Sequence, residues 1–191
     1  MERLDKLPHA SGETSGGMVL RPVGIIKSKI KEPVLAAGND GIKMQGQIDA
    51  MRRKMREMRQ EISEILINEP LIDVLDGIEG YSHLVVLYWA HKVPEQSRSL
   101  TKVHPMGRED FPLVGIFSTH SPARPNPVLM TIVRLCERKE NVLEVTGLDA
   151  VDGSPVVDIK PYVQRLYPRE EVRIPEWMER IVKEVDEGDV R

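Results

Sequence analysis

The sequence predicts a mainly β protein, a barrel or sandwich of short strands, with one long helix inserted and a second, short helix near its end. Two observations carry this. From Leu71 onward the apolar segments are brief and separated by Gly, Pro, Asn and Asp: Ser82–Ala90, Leu113–Phe117, Val128–Leu135, Val142–Leu148 and Val156–Ile159. Such punctuation favours an antiparallel barrel or sandwich over an alternating βαβ sheet. Before them, residues 44–67 switch to helical spacing, with Ile48, Met51, Met55, Met58, Ile62 and Ile65 falling 3, 4, 3, 4 and 3 apart.

Taken in order, Met1–Gly17 is polar, has no signal-peptide apolar core and reads as a disordered leader. Met18–Ile30 is rich in Val and Ile and reads as a strand, and Pro33–Gly41 as a loop. The helix over 44–67 carries Arg52, Arg53, Lys54, Arg56 and Arg59, the densest basic cluster of the chain, and Pro70 stops it. That cluster reads either as a solvated helix face or as an RNA-binding patch. Ser82–Ala90 (SHLVVLYWA) is a continuous apolar run suited to a strand covered on both faces. Over Ile174–Val185, Pro175 at the first turn and a stripe of Trp177, Met178, Ile181, Val182 and Val185 predict the short amphipathic helix. The domain proper spans 18–165, and 166–191 forms a C-terminal extension.

The 191 residues suffice for one buried core. A formal charge of −3 gives no global basic signal, so nucleic acid must be met by a local patch. Aromatics at 4% leave little material for base-stacking platforms. The single cysteine, Cys136, excludes an intrachain disulfide and a Cys-clustered zinc site, and no metal is expected. It lies in the run Ile132–Cys136 and reads as a packed small hydrophobe. No stretch approaches a membrane span, and a cytoplasmic location is expected.

The unusual segment is Ser118–Thr131 (STHSPARPNPVLMT). Pro122, Pro125 and Pro127 fix φ at each site and drive the preceding residues into extended conformations, which excludes a helix or a central strand. The result is a stiff loop that directs His120, Ser121, Arg124 and Asn126. Stiff loops on a scaffold often carry function, and an equally open alternative is a structural corner in which Arg124 and Asn126 cap carbonyls. Asp158, Lys160 and Tyr162 alternate along one strand face. They are candidate catalytic groups, or a salt bridge beside a packed tyrosine.

Three stretches resemble the TsaA-like (YaeB/TrmO) family of S-adenosylmethionine-dependent tRNA adenine-N6-methyltransferases. The first matches at Thr119, Ser121, Pro122, Arg124, Pro125, Asn126 and Pro127; the second is Leu75–Lys92 (LDGIEGYSHLVVLYWAHK); the third is Asp149–Tyr162 (DAVDGSPVVDIKPY). They occur in the family's order and, with Met18–Ile30, cover most of 18–163. The resemblance implies a compact YaeB-like β-barrel, a homodimer, and S-adenosylmethionine bound without a Rossmann sheet. It also implies methylation of N6 of the threonylcarbamoyl-modified adenosine beside the tRNA anticodon. Carried over residue by residue, cofactor contacts fall on His91, Lys92, His120, Met130, Asp152, Gly153, Ser154 and Pro155, with Ser121, Arg124 and Asn126 on the loop.

Two departures lie within the first motif: His120 stands where the family has Arg, and Leu129 where it has Gly. They keep two other readings open. One is a small-molecule methyltransferase of the same fold, and the other a non-catalytic dimeric binding module.

Overall fold

A computed structural model describes residues 19–33, 35–38, 41–44, 57 and 60–186. Ten strands are seen: β1 (Gly24–Lys27), β2 (Leu35–Gly38), β3 (Gly41–Met44), β4 (Ile62–Ile67), β5 (His83–Trp89), β6 (Lys102–Val103), β7 (Val114–Gly115), β8 (Val128–Lys139), β9 (Val142–Thr146) and β10 (Pro155–Pro161). Six of them close a barrel in the order β1-β10-β5-β8-β9-β4, every neighbouring pair antiparallel. Closure leaves no unpaired edge on which another chain can add. Strands β2 and β3, and β6 and β7, form two small separate hairpin sheets.

The core is a set of inward rows set by the register. Ile26 of β1 stands opposite Ile65 of β4, which stands opposite Leu143 of β9, and all three are fully buried. Leu84, Val86 and Tyr88 of β5 and Val133 of β8 fill the other side. The Ser82–Ala90 run is therefore a strand, His83–Trp89, in the middle of the sheet between β10 and β8. Leu75 and Leu148 close the ends of the core from outside the strands.

The helix expected over 44–67 is corrected at both ends. Met44 closes β3, and Ile62–Ile67 is β4, with Ser63, Ile65 and Ile67 buried and Ile62 and Glu64 exposed. Ile62 and Ile65 satisfy both a three-residue helical step and, with Ile67, part of a period of two. Pairing with β1 on one side and β9 on the other decides between them, because tertiary partners override local preference. The remaining positions of the helical stripe, Ile48, Met51, Met55 and Met58, and the basic cluster Arg52, Arg53, Lys54, Arg56 and Arg59 lie outside the described residues, as does the leader.

Two smaller expectations also change. Leu113–Phe117 yields a two-residue strand followed by a 3-10 turn over Ile116–Ser118. Cys136 is exposed: it falls at the register shift of β8 between Leu135 and Glu137, where the pairing with β9 is irregular and its side chain turns to solvent. The C-terminal helix, α1 (Glu176–Asp186), is held by charge as well as by its apolar stripe. Arg108 pairs with Asp110 at 2.7 Å and with Glu184, and Arg180 pairs with Asp110 at 2.7 Å and Glu184 at 2.9 Å. Both guanidinium groups lie over the Phe111 ring, 4.3 and 5.0 Å from its centre.

Candidate functional site

The proline-rich loop, the end of β5 and the turn before β10 meet at one end of the barrel. Antiparallel pairing requires this: Trp89 at the end of β5 faces Val128 at the start of β8, and Tyr88 faces Val156 at the start of β10. The Ala90 N–H donates to the Pro127 carbonyl at 2.8 Å, which ties the loop to the segment carrying His91. The His91 Nδ1 in turn lies 3.2 Å from the Ser154 hydroxyl.

The 151–154 turn is clamped from the other side by the chain that follows β1. Gly153 adopts φ +79°, a left-handed conformation that suits glycine, and its N–H donates to the Ile26 carbonyl at 2.9 Å. The Asp152 N–H reaches the Ile30 carbonyl at 2.8 Å. The Asp152 carboxylate accepts from the Ser28 N–H at 3.0 Å and the Lys31 ammonium at 2.8 Å. The Lys31 hydrogen bond, then that of Ser28, holds its pKa below the usual carboxylate range. Ser154 is buried.

The loop itself is internally braced. Thr119 Oγ1 donates to the Ile116 carbonyl and accepts from the Ser121 N–H, and the buried Ser121 hydroxyl accepts from the Ala123 N–H. The Arg124 guanidinium folds back onto the carbonyls of Thr119 and Ser121. Arg124 is thus the carbonyl cap of a structural corner. Asn126 differs: with Leu20, Pro22, Trp89, Pro155 and Val157 it lines a cleft of about 370 Å³. The cleft's size and mostly apolar lining with one polar amide fit a nucleoside-sized group.

His91 is exposed beside the 151–154 turn. Partial burial against the turn, then the Lys92 ammonium, lowers its pKa against the opposite pull of Asp152, so the imidazole is neutral at pH 7. Lys92 donates to Glu32 at 2.7 Å and to the Lys31 carbonyl, so its charge is already partnered. His120 is exposed beside the braced loop, and Met130 is 53% exposed on the outer face of β8, opposite Leu87.

Of the candidate catalytic trio, Asp158 and Lys160 lie in β10 and Tyr162 follows it. Asp158 accepts from the Ile159 N–H at 2.9 Å and pairs with Lys160 at 2.6 Å. The Tyr162 N–H donates to the His83 carbonyl, which places it beside the start of β5, and its ring packs 4.8 Å from that of Tyr167. From His83 to Trp89, β5 covers roughly 20 Å at the usual strand rise. Tyr162 therefore lies at the barrel end opposite His91 and Ser154.

One cluster has no counterpart among the residues singled out from sequence. The Tyr88 hydroxyl donates to Asp149 Oδ1 at 2.9 Å, and the Thr131 hydroxyl donates to the same oxygen. Burial, then the adjacent carboxylate, pushes the Tyr88 pKa up, so its hydroxyl stays protonated as a donor. Asp149 opens the third motif, which was its available signal; Tyr88 and Thr131 lie in apolar strand sequence that reads as core.

A family model described as the tRNA-methyltransferase O N-terminal domain matches residues 46–166. The chain belongs to that family. A "probable S-adenosyl-L-methionine-binding protein" of Methanothermobacter thermautotrophicus is 41% identical over 145 residues, covering 76% of this chain and 90% of that one. The tRNA (adenine(37)-N6)-methyltransferase of Escherichia coli is 40% identical over 95 residues, covering 48% of this chain and 40% of that enzyme. The crystal structure of TrmO from Pseudomonas aeruginosa superposes with a TM-score of 0.58 at 25% identity, covering 83% of this chain and 62% of that one. The chain thus spans less than two thirds of the solved family structure and of the E. coli enzyme.

Proposed function

We propose that this chain is an S-adenosylmethionine-dependent methyltransferase acting on N6 of an adenosine in tRNA, the threonylcarbamoyl-modified adenosine beside the anticodon being the expected acceptor. The observation that carries the reading is the convergence of three separate motif stretches on one barrel end: Ala90 on Pro127, His91 on Ser154, and Trp89, Asn126 and Pro155 around one cleft. Family membership and relatives named for S-adenosylmethionine binding and tRNA methylation support it.

The residues present fit the methyl donor. Trp89, Pro155 and Val157 offer apolar surface to an adenosine, Asn126 offers an amide, and Gly153 lets the turn backbone lie close. When bound, the cofactor supplies an activated methyl group, and the protein's share is to hold donor and acceptor in line and exclude water. The neutral His91 ring, oriented by Ser154, adds a hydrogen-bonding edge without a competing positive charge. Lys92, His120 and Met130 complete the proposed cofactor surroundings. Asp158 and Lys160 stay as proposals for an acceptor-facing strip of β10, whereas Tyr162, at the opposite barrel end, does not share that strip.

The same reading takes the molecule as a homodimer working in the cytoplasm. Met130 and Ile132, alternate residues of β8 at 53 and 41% exposure, are apolar surface that a second copy would cover.

Calorimetry with S-adenosylmethionine tests the cofactor half. The wild-type chain is expected to bind with measurable heat. Gly153→Val, which forces a β-branched residue into a left-handed conformation costing about 1–3 kcal/mol, is expected to weaken binding at least several-fold. Absence of heat at millimolar ligand would instead favour the non-catalytic module.

A further inference from the structure

We infer that Asp149 takes the proton from the methyl-acceptor nitrogen, an assignment that rests on the proposed methyl transfer to N6 of the modified adenosine. Asp149 lies on the segment between β9 and β10, flanked by Leu148 and Ala150, each 1% exposed, so its backbone is fixed while its side chain faces solvent. Its Oδ1 is held by two hydroxyls, from Tyr88 of β5 and Thr131 of β8. Among the described residues, Oδ2 has no hydrogen-bond partner and no cation pairs with the carboxylate.

This distinguishes Asp149 from its acidic neighbours. Asp152 has both oxygens engaged, by the Ser28 N–H and Lys31. Asp158 has one on the Ile159 N–H and the other on Lys160. Glu32 holds Lys92. A carboxylate with one oxygen locked by neutral donors and the other open is oriented without losing its ability to accept a proton. A surface acid with no role needs no such bracing, and a tyrosine needing a partner for its hydroxyl can take a water or a carbonyl.

Location agrees. Tyr88 faces Val156 and lies two residues before Ala90, which binds the proline-rich loop; Thr131 follows Met130; and Asp149 precedes the clamped turn by two residues. The carboxylate therefore stands at the barrel end that carries the cleft, reached from the inner face of β5, since Tyr88 is buried in the core while its neighbour Trp89 lines the cleft.

In the balanced step, the acceptor nitrogen's electron pair forms the new N–CH3 bond and the S–C pair of the methyl donor stays on sulfur. The nitrogen's proton passes to Oδ2, leaving a neutral carboxyl group whose proton is then lost to water. Positioned proton transfer of this kind contributes about 10²–10⁴-fold.

Asp149→Asn tests the assignment, because an amide oxygen still accepts from both hydroxyls. The full chain is assayed with S-adenosylmethionine and tRNA, and cofactor affinity is measured separately by calorimetry. Expected are a loss in kcat of about 10²–10⁴-fold, tRNA KM and cofactor affinity within twofold of wild type, and partial recovery in Asp149→Glu. Tyr88→Phe removes only the brace and is expected to lose less than tenfold. Asp149→Asn turning over at the wild-type rate, or Asp149→Asn and Tyr88→Phe losing equal activity, overturns the assignment and leaves the methyltransferase reading intact. A wild-type chain that binds the cofactor but methylates no tRNA overturns both.

Discussion

Ile65→Ala is expected to destabilise the protein by about 3–4 kcal/mol, whereas Ile62→Ala, three residues earlier, is expected to cost no more than about 0.5–1 kcal/mol. Ile65 is fully buried in a row with Ile26 and Leu143, both equally buried, and truncation leaves a hole that backbone pairing on both sides prevents from collapsing. Ile62 begins β4 and is 55% exposed. For a chain of this size, the Ile65 loss corresponds to a fall in Tm of roughly 6–16 °C. Thermal unfolding of the two variants checks this. On one stripe of an amphipathic helix the two isoleucines would cost similar amounts, so comparable losses would contradict β4.

Gly24→Ala is expected to cost about 2–3 kcal/mol and to weaken cofactor binding as well. A Cβ at Gly24 would stand 2.3 Å from the Leu66 carbonyl oxygen, far inside contact distance. The obstacle is backbone of the neighbouring strand, which cannot swing aside as a side chain can, so β1 must separate from β4 or buckle. The consequence extends to the site, because the chain leaving β1 supplies Ser28 and the carbonyls of Ile26 and Ile30 that hold the 151–154 turn. Gly115→Ala is the control: a Cβ there meets nothing within 4 Å, the backbone already has φ −59°, and a change within about 0.5 kcal/mol is expected. Chemical denaturation and calorimetry on both variants separate the effects. A Gly24→Ala protein with wild-type stability would refute the close approach of β1 and β4.

Much of the barrel was legible because its strands announce themselves locally. The Ser82–Ala90 run is short and continuously apolar, which suits a strand covered on both faces. The turn at Asp152–Ser154 and the stiff corner at Pro122–Pro127 were legible from residue chemistry alone, since Gly at positive φ and closely spaced prolines restrict the backbone before any packing is considered. Strand β4 was hidden because Ile62, Ile65 and Ile67 fit two periods at once, and the partners that resolve the ambiguity, Ile26 and Leu143, lie 39 and 78 positions from Ile65.

The site was legible as motifs but not as roles. Arg124 reads from sequence equally as a directed functional group or as a carbonyl cap, and its fork is used on the Thr119 and Ser121 carbonyls, the second of these. Lys92 follows His91 in the motif, but Glu32, sixty residues earlier, is what holds its ammonium. Asp149, Tyr88 and Thr131 come from three distant segments, and no spacing rule joins them. Cys136 closes an apolar run and was expected inside, whereas the register shift of β8 between Leu135 and Glu137 turns it to solvent.

The central claim is methyl transfer to adenosine N6 in tRNA, and mass spectrometry of nucleosides tests it most directly. tRNA bearing the threonylcarbamoyl-modified adenosine is incubated with the chain and S-adenosylmethionine, then digested. The account predicts that the modified-adenosine peak falls and a species one methyl group heavier rises in its place, with Asp149→Asn leaving the spectrum nearly unchanged over the same interval. An unchanged peak with wild-type protein whose cofactor binding has been shown by calorimetry would contradict it.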